Sequence, residues 1–225
     1  MVFGEIVEPS TRALIDDEFE EYPTYTKPQL IWEGNVGVPS NLNTLIFIEG
    51  NKLMKLFNAL VLNSEMLYSS LNSENINIYN ATNNTYIVSY VKKDLTTGEI
   101  IEELSQWLRK AKNIYAVVSE PISAYQNLNL SEKPETLIRK LSTDTADTFN
   151  CEKLESPNLV SGLGAGVVSY CIHSGLKSTL FVVYMDNSPL DSINTSPVVQ
   201  LMKSLNLSVK AAASNLNPAA SNLYL

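Results

Sequence analysis

The chain has 225 residues, 44% of them hydrophobic and 18% charged, which is ordinary globular composition and enough for one sizeable core. Its net charge of −8 argues against nucleic acid as the main ligand, because phosphate binding needs a basic face. It would suit a basic protein surface, or serve only solubility.

Two cysteines, Cys151 and Cys171, are too few for a disulfide scaffold. Met1-Val2-Phe3-Gly4-Glu5 meets acid at once, unlike a signal peptide, and no apolar run approaches the roughly 20 residues that span a bilayer. The expectation is a reduced, cytoplasmic protein with no membrane segment.

Residues 1–40 are weakly patterned. Asp16-Asp17-Glu18-Phe19-Glu20-Glu21 reads as a solvated charge run, and Pro23, Pro28, Gly34, Gly37 and Pro39 keep the next stretch irregular. Residues 1–40 are expected to be an N-terminal arm laid over a single domain of residues 41–216.

Regular structure begins at Thr44-Leu45-Ile46-Phe47-Ile48, an apolar run short enough for a buried strand. Leu53, Leu56, Phe57, Leu60, Leu67, Tyr68 and Leu71 then fall at helical spacing, predicting one amphipathic helix over 52–71. Ile76 and Ile78 fit a short strand, and Thr85 to Val91 a better one, rich in β-branched and aromatic residues. Thr96 with Glu99 makes a capping box for a helix whose apolar side carries Ile100, Ile101, Leu104, Trp107 and Leu108. Ile114 to Val118 is another buried strand. Strands alternating with helices in this way predict a mostly parallel sheet covered by helices.

Residues 120–156 are loop-rich. Pro134 is expected to open a short helix through Leu137, Ile138 and Leu141, and Ser142 to Asn150 to be polar and exposed. Val167 to His173 is a helix ending near Gly175, and Ser178 to Met185 is the clearest strand, with Asp186 at its C-terminal end. Ser196 and Pro197 are expected to cap a last helix through Leu205. Val209 to Ala213 is small and helix-prone, and Asn217 to Asn222 reads as a tether that presents Leu223-Tyr224-Leu225. That ending offers an apolar side chain, a tyrosine with a large face and one hydroxyl, and a terminal carboxylate that backbone amides or a lysine can capture.

Catalytic patterns are sparse. Gly162-x-Gly164-x-Gly166 could cradle a phosphate at a helix N-terminus. It departs from the dinucleotide fingerprint, which needs its third glycine one place later and a strand directly before it. Small residues that let a helix start close to another backbone explain it as well. His173 has no second histidine to make a zinc site, and no Gly-x-Ser-x-Gly elbow accompanies it. Cys171 sits on a largely apolar helix, as a buried structural thiol does. Asp186 and Asp191 flank a Ser-Pro turn, and turn chemistry accounts for them. No cofactor, metal or catalytic residue is assigned; the enzymatic alternative is a nucleoside- or nucleotide-binding protein using the Gly162–Gly166 loop.

Residues 157–191 carry a resemblance. Pro157-Asn158-Leu159-Val160-x-Gly162-Leu163, then Val167-Val168-Ser169-Tyr170-Cys171, then Tyr184-x-Asp186 and Leu190-Asp191, resemble the proteasome assembly chaperone 1 family. Phe3-Gly4-Glu5-Ile6-Val7 looks like that family's start, and Leu223-Tyr224-Leu225 falls where it keeps a tail that docks on the proteasome α ring. The family pattern has proline and alanine where Gly164 and Gly166 stand. The resemblance implies a three-layer α/β/α sandwich with a mostly parallel central sheet, similar to nucleoside phosphorylase-like domains without their activity. It implies a chaperone that forms a heterodimer with the homologous proteasome assembly chaperone 2 and promotes correct ordering of α subunits. Residues 217–225 are then a docking tail, with Leu223, Tyr224 and Leu225 as its contact residues.

Overall fold

A computed structural model describes residues 30–35, 37–71, 76–82, 84–90, 96–126, 135–144 and 147–210. The described elements all lie in the unit Ile31–Leu225. In chain order the strands are β1 (Trp32–Gly34), β2 (Thr44–Glu49), β3 (Leu67–Leu71), β4 (Ile76–Asn80), β5 (Thr85–Tyr90), β6 (Asn113–Pro121), β7 (Thr136–Ser142) and β8 (Ser178–Met185). The helices are α1 (Asn51–Leu60), α2 (Thr97–Lys110), α3 (Leu163–Ser174) and α4 (Ser192–Ser204).

The strands form one sheet in the order β1-β3-β4-β5-β2-β6-β8-β7. Its four central strands, β5, β2, β6 and β8, are the most apolar runs in the chain and pair in parallel. Parallel strands are buried on both faces, so they read as continuous apolar runs rather than alternating ones; β5 and β8 are buried along their whole lengths. The flanking pairs are antiparallel.

Alternation along each strand sorts the core into two halves. Ile46, Ile48, Ile87, Val117, Phe181 and Val183 form one cluster with Leu53, Leu56 and Phe57 of α1 and Val198, Leu201 and Met202 of α4. On the other face α2 and α3 bury Ile100, Leu104, Leu108, Leu163, Val167 and Cys171. The architecture is therefore the expected α/β/α sandwich. Each fully buried aliphatic side chain contributes about 1.5–3 kcal/mol.

Local chemistry sets the helix ends. Thr96 and Glu99 form the reciprocal capping box that the sequence predicts, with Thr96 N–H donating to Glu99 Oε2 at 2.8 Å. Gly175 closes α3 in the left-handed conformation, at φ 67°.

Four local expectations are corrected. The helix predicted over 52–71 stops at Leu60, where the N–H groups of Val61 and Leu62 both return to Phe57 O. Asn63 then caps a single turn at Ser64–Met66, and Leu67–Leu71 becomes β3. The helical spacing of Tyr68 was fortuitous: its ring packs edge-on against Tyr86 and Trp107 at 5.3 and 5.8 Å.

The second correction concerns the helix expected after Pro134. Thr136–Ser142 is a strand antiparallel to β8, because β8 would otherwise leave an open edge. Third, Ser142 to Asn150 is not wholly exposed. Asp147 is buried against Lys140, and Phe149 packs edge-on against Tyr115 and Phe181.

Fourth, Asp191 rather than Ser196 caps α4, in a reciprocal box with Asn194, and Pro197 lies inside the helix. Pro197 has no N–H to donate to the carbonyl of Ile193, a residue that is 71% exposed. To the arm expected over residues 1–40 the structure adds the three-residue strand β1, paired with β3.

Candidate functional site

Two places could carry function: the root of the C-terminal tail and the edge of the sheet where the parallel strands end. Leu223, Tyr224 and Leu225, with the tether before them, lie outside the described residues. The root of the tail lies within them. Leu205 and Leu207 are buried, and Leu207 N–H donates to Met202 O at 3.0 Å. Lys210 then donates its N–H to Leu60 O at 2.8 Å and its Nζ to Leu62 O at 2.9 Å. Those carbonyls belong to the C-terminal end of α1 and the turn after it, the negative pole of the helix dipole, which favours a cation. Lys210 is not helical, although Val209 to Ala213 was expected to be helix-prone; Ala211 onward lies outside the described residues.

α1 starts at the C-terminal end of β2, through Gly50, and Lys210 is held at its other end. The tail root and the strand ends are thus separated by the ten-residue length of α1, about 15 Å.

The strand ends hold Glu49, Glu120 and Asp186, and beside them the N-terminus of α3. This is where open α/β sheets place ligands. The glycine run does open α3, as predicted, but its amide is already engaged. Gly164 N–H donates to Glu49 Oε2 at 2.9 Å. Gly162, at φ +89°, lies so close that a Cβ there would fall 2.4 Å from Glu49 Oε1. The chain's own carboxylate occupies the cradle that a phosphate would need. The glycines also pack closely, though against side chains rather than the backbone expected. A Cβ at Gly164 would meet Val118 Cγ1 at 2.3 Å, and one at Gly166 would meet Thr97 Cγ2 at 2.5 Å and Ile101 Cδ1 at 2.6 Å.

Asp186 accepts hydrogen bonds from the N–H and hydroxyl of Ser188, while Lys52 Nζ donates to the carbonyls of Asp186 and Ser188. Asp191 caps α4. Both acids thus serve the turn between β8 and α4, as turn chemistry predicts. Glu120 has its carboxyl pushed up by burial, and next by the nearby charge of Glu49.

Beside them lies a network that sequence reasoning missed. Arg139 pairs with Glu152 at 2.8 Å and donates to Tyr125 OH at 3.2 Å, and Tyr125 OH donates to Glu155. Tyr184 packs on Tyr125 at 5.0 Å, and burial above all pushes its hydroxyl up to about 12. Arg139 was hidden because its strand reads as a helix, and the acids because they sit in a loop. The arrangement clamps the 152–155 segment across β7: Lys140 N–H donates to Glu152 O, and Leu154 N–H to Lys140 O.

His173 is exposed on the last turn of α3, and Cys171 is buried there with its thiol pushed up by burial. Among the described residues no group of three His, Cys, Asp or Glu could hold a metal ion, and no helix is long and apolar enough to cross a membrane.

A family model described as Proteasome assembly chaperone 4 matches residues 99–221, more than half of the chain. The chain is 31% identical over 145 residues to Proteasome assembly chaperone 1 of Xenopus laevis, covering 55% of this chain and 50% of that protein. It is 33% identical over 103 residues to Proteasome assembly chaperone 1 of Danio rerio, covering 42% and 37%. The chain thus aligns with half or less of the length of these curated relatives. Among solved structures, Pyrococcus furiosus PbaA, described as an archaeal homolog of proteasome-assembly chaperone, superposes with a TM-score of 0.53 at 15% identity over 84% of this chain and 90% of that one. That likeness is one of fold.

Proposed function

Because this chain belongs to the proteasome assembly chaperone 1 family, we propose that it is an assembly chaperone for the proteasome core particle, acting by binding and not by catalysis. The observation that carries this reading is the family match over residues 99–221, which runs from α2 through α4 and past the root of the tail. In this reading a single α/β domain of residues 41–216 pairs with the homologous proteasome assembly chaperone 2 in the cytoplasm. Residues 217–225 carry the docking tail to the α ring and promote correct α-ring formation.

Leu223 fills the apolar lip of a pocket between neighbouring α subunits, and Tyr224 and the Leu225 carboxylate enter it. One short tail binds modestly. Two tails on one heterodimer gain avidity through effective concentration, provided both reach their pockets together. Held at Lys210, the fifteen residues to Leu225 span at most about 50 Å. That bound limits how far the domain can stand from the pocket it serves.

The competing nucleoside or nucleotide reading would place a phosphate at Gly162–Gly166. Glu49 speaks against it, because its carboxylate holds the Gly164 amide and would repel a second anion.

The test is co-purification of the tagged full-length chain and of a Leu223–Leu225 deletion from native cytosol, with mass spectrometry of what accompanies each. A homologous chaperone with both, and α subunits lost from the deletion, is expected. Equal α-subunit recovery by the two would overturn the role of the tail. No proteasome subunit with either would overturn the chaperone reading.

A further inference from the structure

We propose that the outer faces of α2 and α3 form a twofold-symmetric docking surface for a second copy of this chain. This goes beyond the chaperone reading, which names a partner but no surface. The starting observation is the composition of α3. Leu163–Ser174 contains no Asp, Glu, Lys or Arg. On its outer side Ile172 is 61% exposed, beside exposed Ser169 and His173, so the helix turns an uncharged surface with an apolar residue in it to the outside.

The neighbouring helix completes the surface. Gly166 brings α3 close to Thr97 and Ile101 of α2, and Arg109 Nε donates to Tyr170 OH at 3.0 Å. Between the two helices runs an open groove of about 530 Å³, lined among others by Gly98, Ile101, Ser105 and Ser169, with Glu102 and Arg109 as the charged residues among its described lining. Small residues along it allow a second helix to approach closely.

The charges select the occupant. Glu102 and Arg109 are seven positions apart, so they share a side of α2 about 10 Å apart along its axis. Their midpoint falls at Ser105–Gln106. A twofold axis passing there lays α2 antiparallel on its own copy. Glu102 then opposes Arg109 of the partner subunit, and the reverse pair forms on the other side of the axis. Ser105 and Gln106 lie at the crossing, so that Ser105 of one copy faces the exposed Gln106 of the other, a small residue against a polar side chain. A parallel arrangement would set Glu102 against its own copy and lose both pairs. Such self-complementarity is what an isologous dimer requires. Helices of 14 and 12 residues are only about 20 Å long, so the interface belongs to the small, reversible class.

The test is sedimentation equilibrium of the full-length chain across the micromolar range, with each variant's fold checked by circular dichroism melting. The wild type is expected to dimerise reversibly, and Ile172→Glu to abolish the dimer. Glu102→Lys and Arg109→Glu should each weaken it about tenfold, and the two together should restore it, because both cross-axis pairs re-form with reversed sign. A wild type that stays monomeric, a dimer indifferent to Ile172→Glu or to the single reversals, or a double reversal that fails to restore it would each overturn the proposal. The two readings fail separately. A monomer that still recovers proteasome subunits sinks only the dimer surface, and a dimer that recovers none sinks only the chaperone reading.

Discussion

Glu49, at the end of β2, accepts the backbone N–H of Gly164 at 2.9 Å across 115 positions of sequence. Gly162, the N-cap of α3, has no side chain to do this locally, so the cap is supplied by the sheet. A carboxylate there satisfies an orphan amide and complements the positive end of the helix dipole. Glu49→Ala is expected to lower stability by about 1–2 kcal/mol, the usual worth of an N-cap, read from the midpoint of urea unfolding. Glu49→Gln keeps an acceptor and should lose less. Added phosphate should raise the melting temperature of Glu49→Ala more than that of the wild type, because the vacated amide favours an anion. Equal phosphate shifts would show that Glu49 does not occupy an anion cradle.

Gly164 has a separate reason to lack a side chain. A Cβ there would fall 2.3 Å from Val118 Cγ1 and 3.1 Å from Leu180 Cδ1, both on the sheet beneath α3. Val118 is β-branched and buried, so it has little room to yield. Gly164→Ala is expected to cost about 1–3 kcal/mol through overpacking, despite the better helix propensity of alanine. A variant as stable as the wild type would mean that α3 can ride up off β6 and β8 without loss.

These two residues show what the sequence could reveal. The strands β2, β5, β6 and β8 were legible because burial on both faces makes each a continuous apolar run. α2 was legible because its capping box and its apolar stripe are local. β3 and β7 were not. Over five to seven residues, Leu67-Tyr68-Leu71 and Leu137-Ile138-Leu141 satisfy a helical spacing, and only neighbouring strands decide against it. The glycine run was legible as close packing. That Glu49 holds its amide was not, because nothing local links Glu49 to a residue more than a hundred positions away. The same holds for Lys210 on the end of α1 and for Arg139 with Glu152 and Tyr125. Each is a tertiary contact between segments whose own sequences predict only solvent-facing polarity.

Glu120 gives the strand ends a pH dependence. Burial first, and then the charge of Glu49, hold its carboxyl above the ordinary carboxylate range. A carboxyl whose folded pKa is raised gives its full stabilisation below the unfolded value and loses it as pH rises through the folded one. Ionised Glu120 is therefore a liability at neutral pH. Glu120→Gln should raise the melting temperature at neutral pH, and the gain should vanish on acidification below the carboxylate range. In a Glu49→Ala background the gain should shrink, since the repelling charge is gone, though burial keeps part of it. A gain independent of pH would mean that Glu120 does not titrate in this window.

The buried pair of Lys140 and Asp147 makes the largest energetic claim. Lys140 Nζ lies 3.0 Å from Asp147 Oδ2, with side chains only 9% and 6% exposed. Lys140 Nζ also donates to Phe149 O at 2.6 Å, and Asp147 Oδ1 accepts the N–H of Phe149 at 2.9 Å. The pair thus pins the segment that carries Phe149 onto Phe181, with ring centroids 5.0 Å apart. Removing one partner strands a buried charge, so Lys140→Met is expected to cost about 3–5 kcal/mol. Removing both charges in Lys140→Met with Asp147→Leu should recover much of that loss, because the desolvation penalty disappears with them. A double-mutant cycle on urea unfolding measures this. Additive losses would show that the two side chains act independently. A strong coupling energy would show that the cost lies in the unpaired charge, and that the loop from Asp147 to Phe149 is held by electrostatics as well as by its aromatic ring.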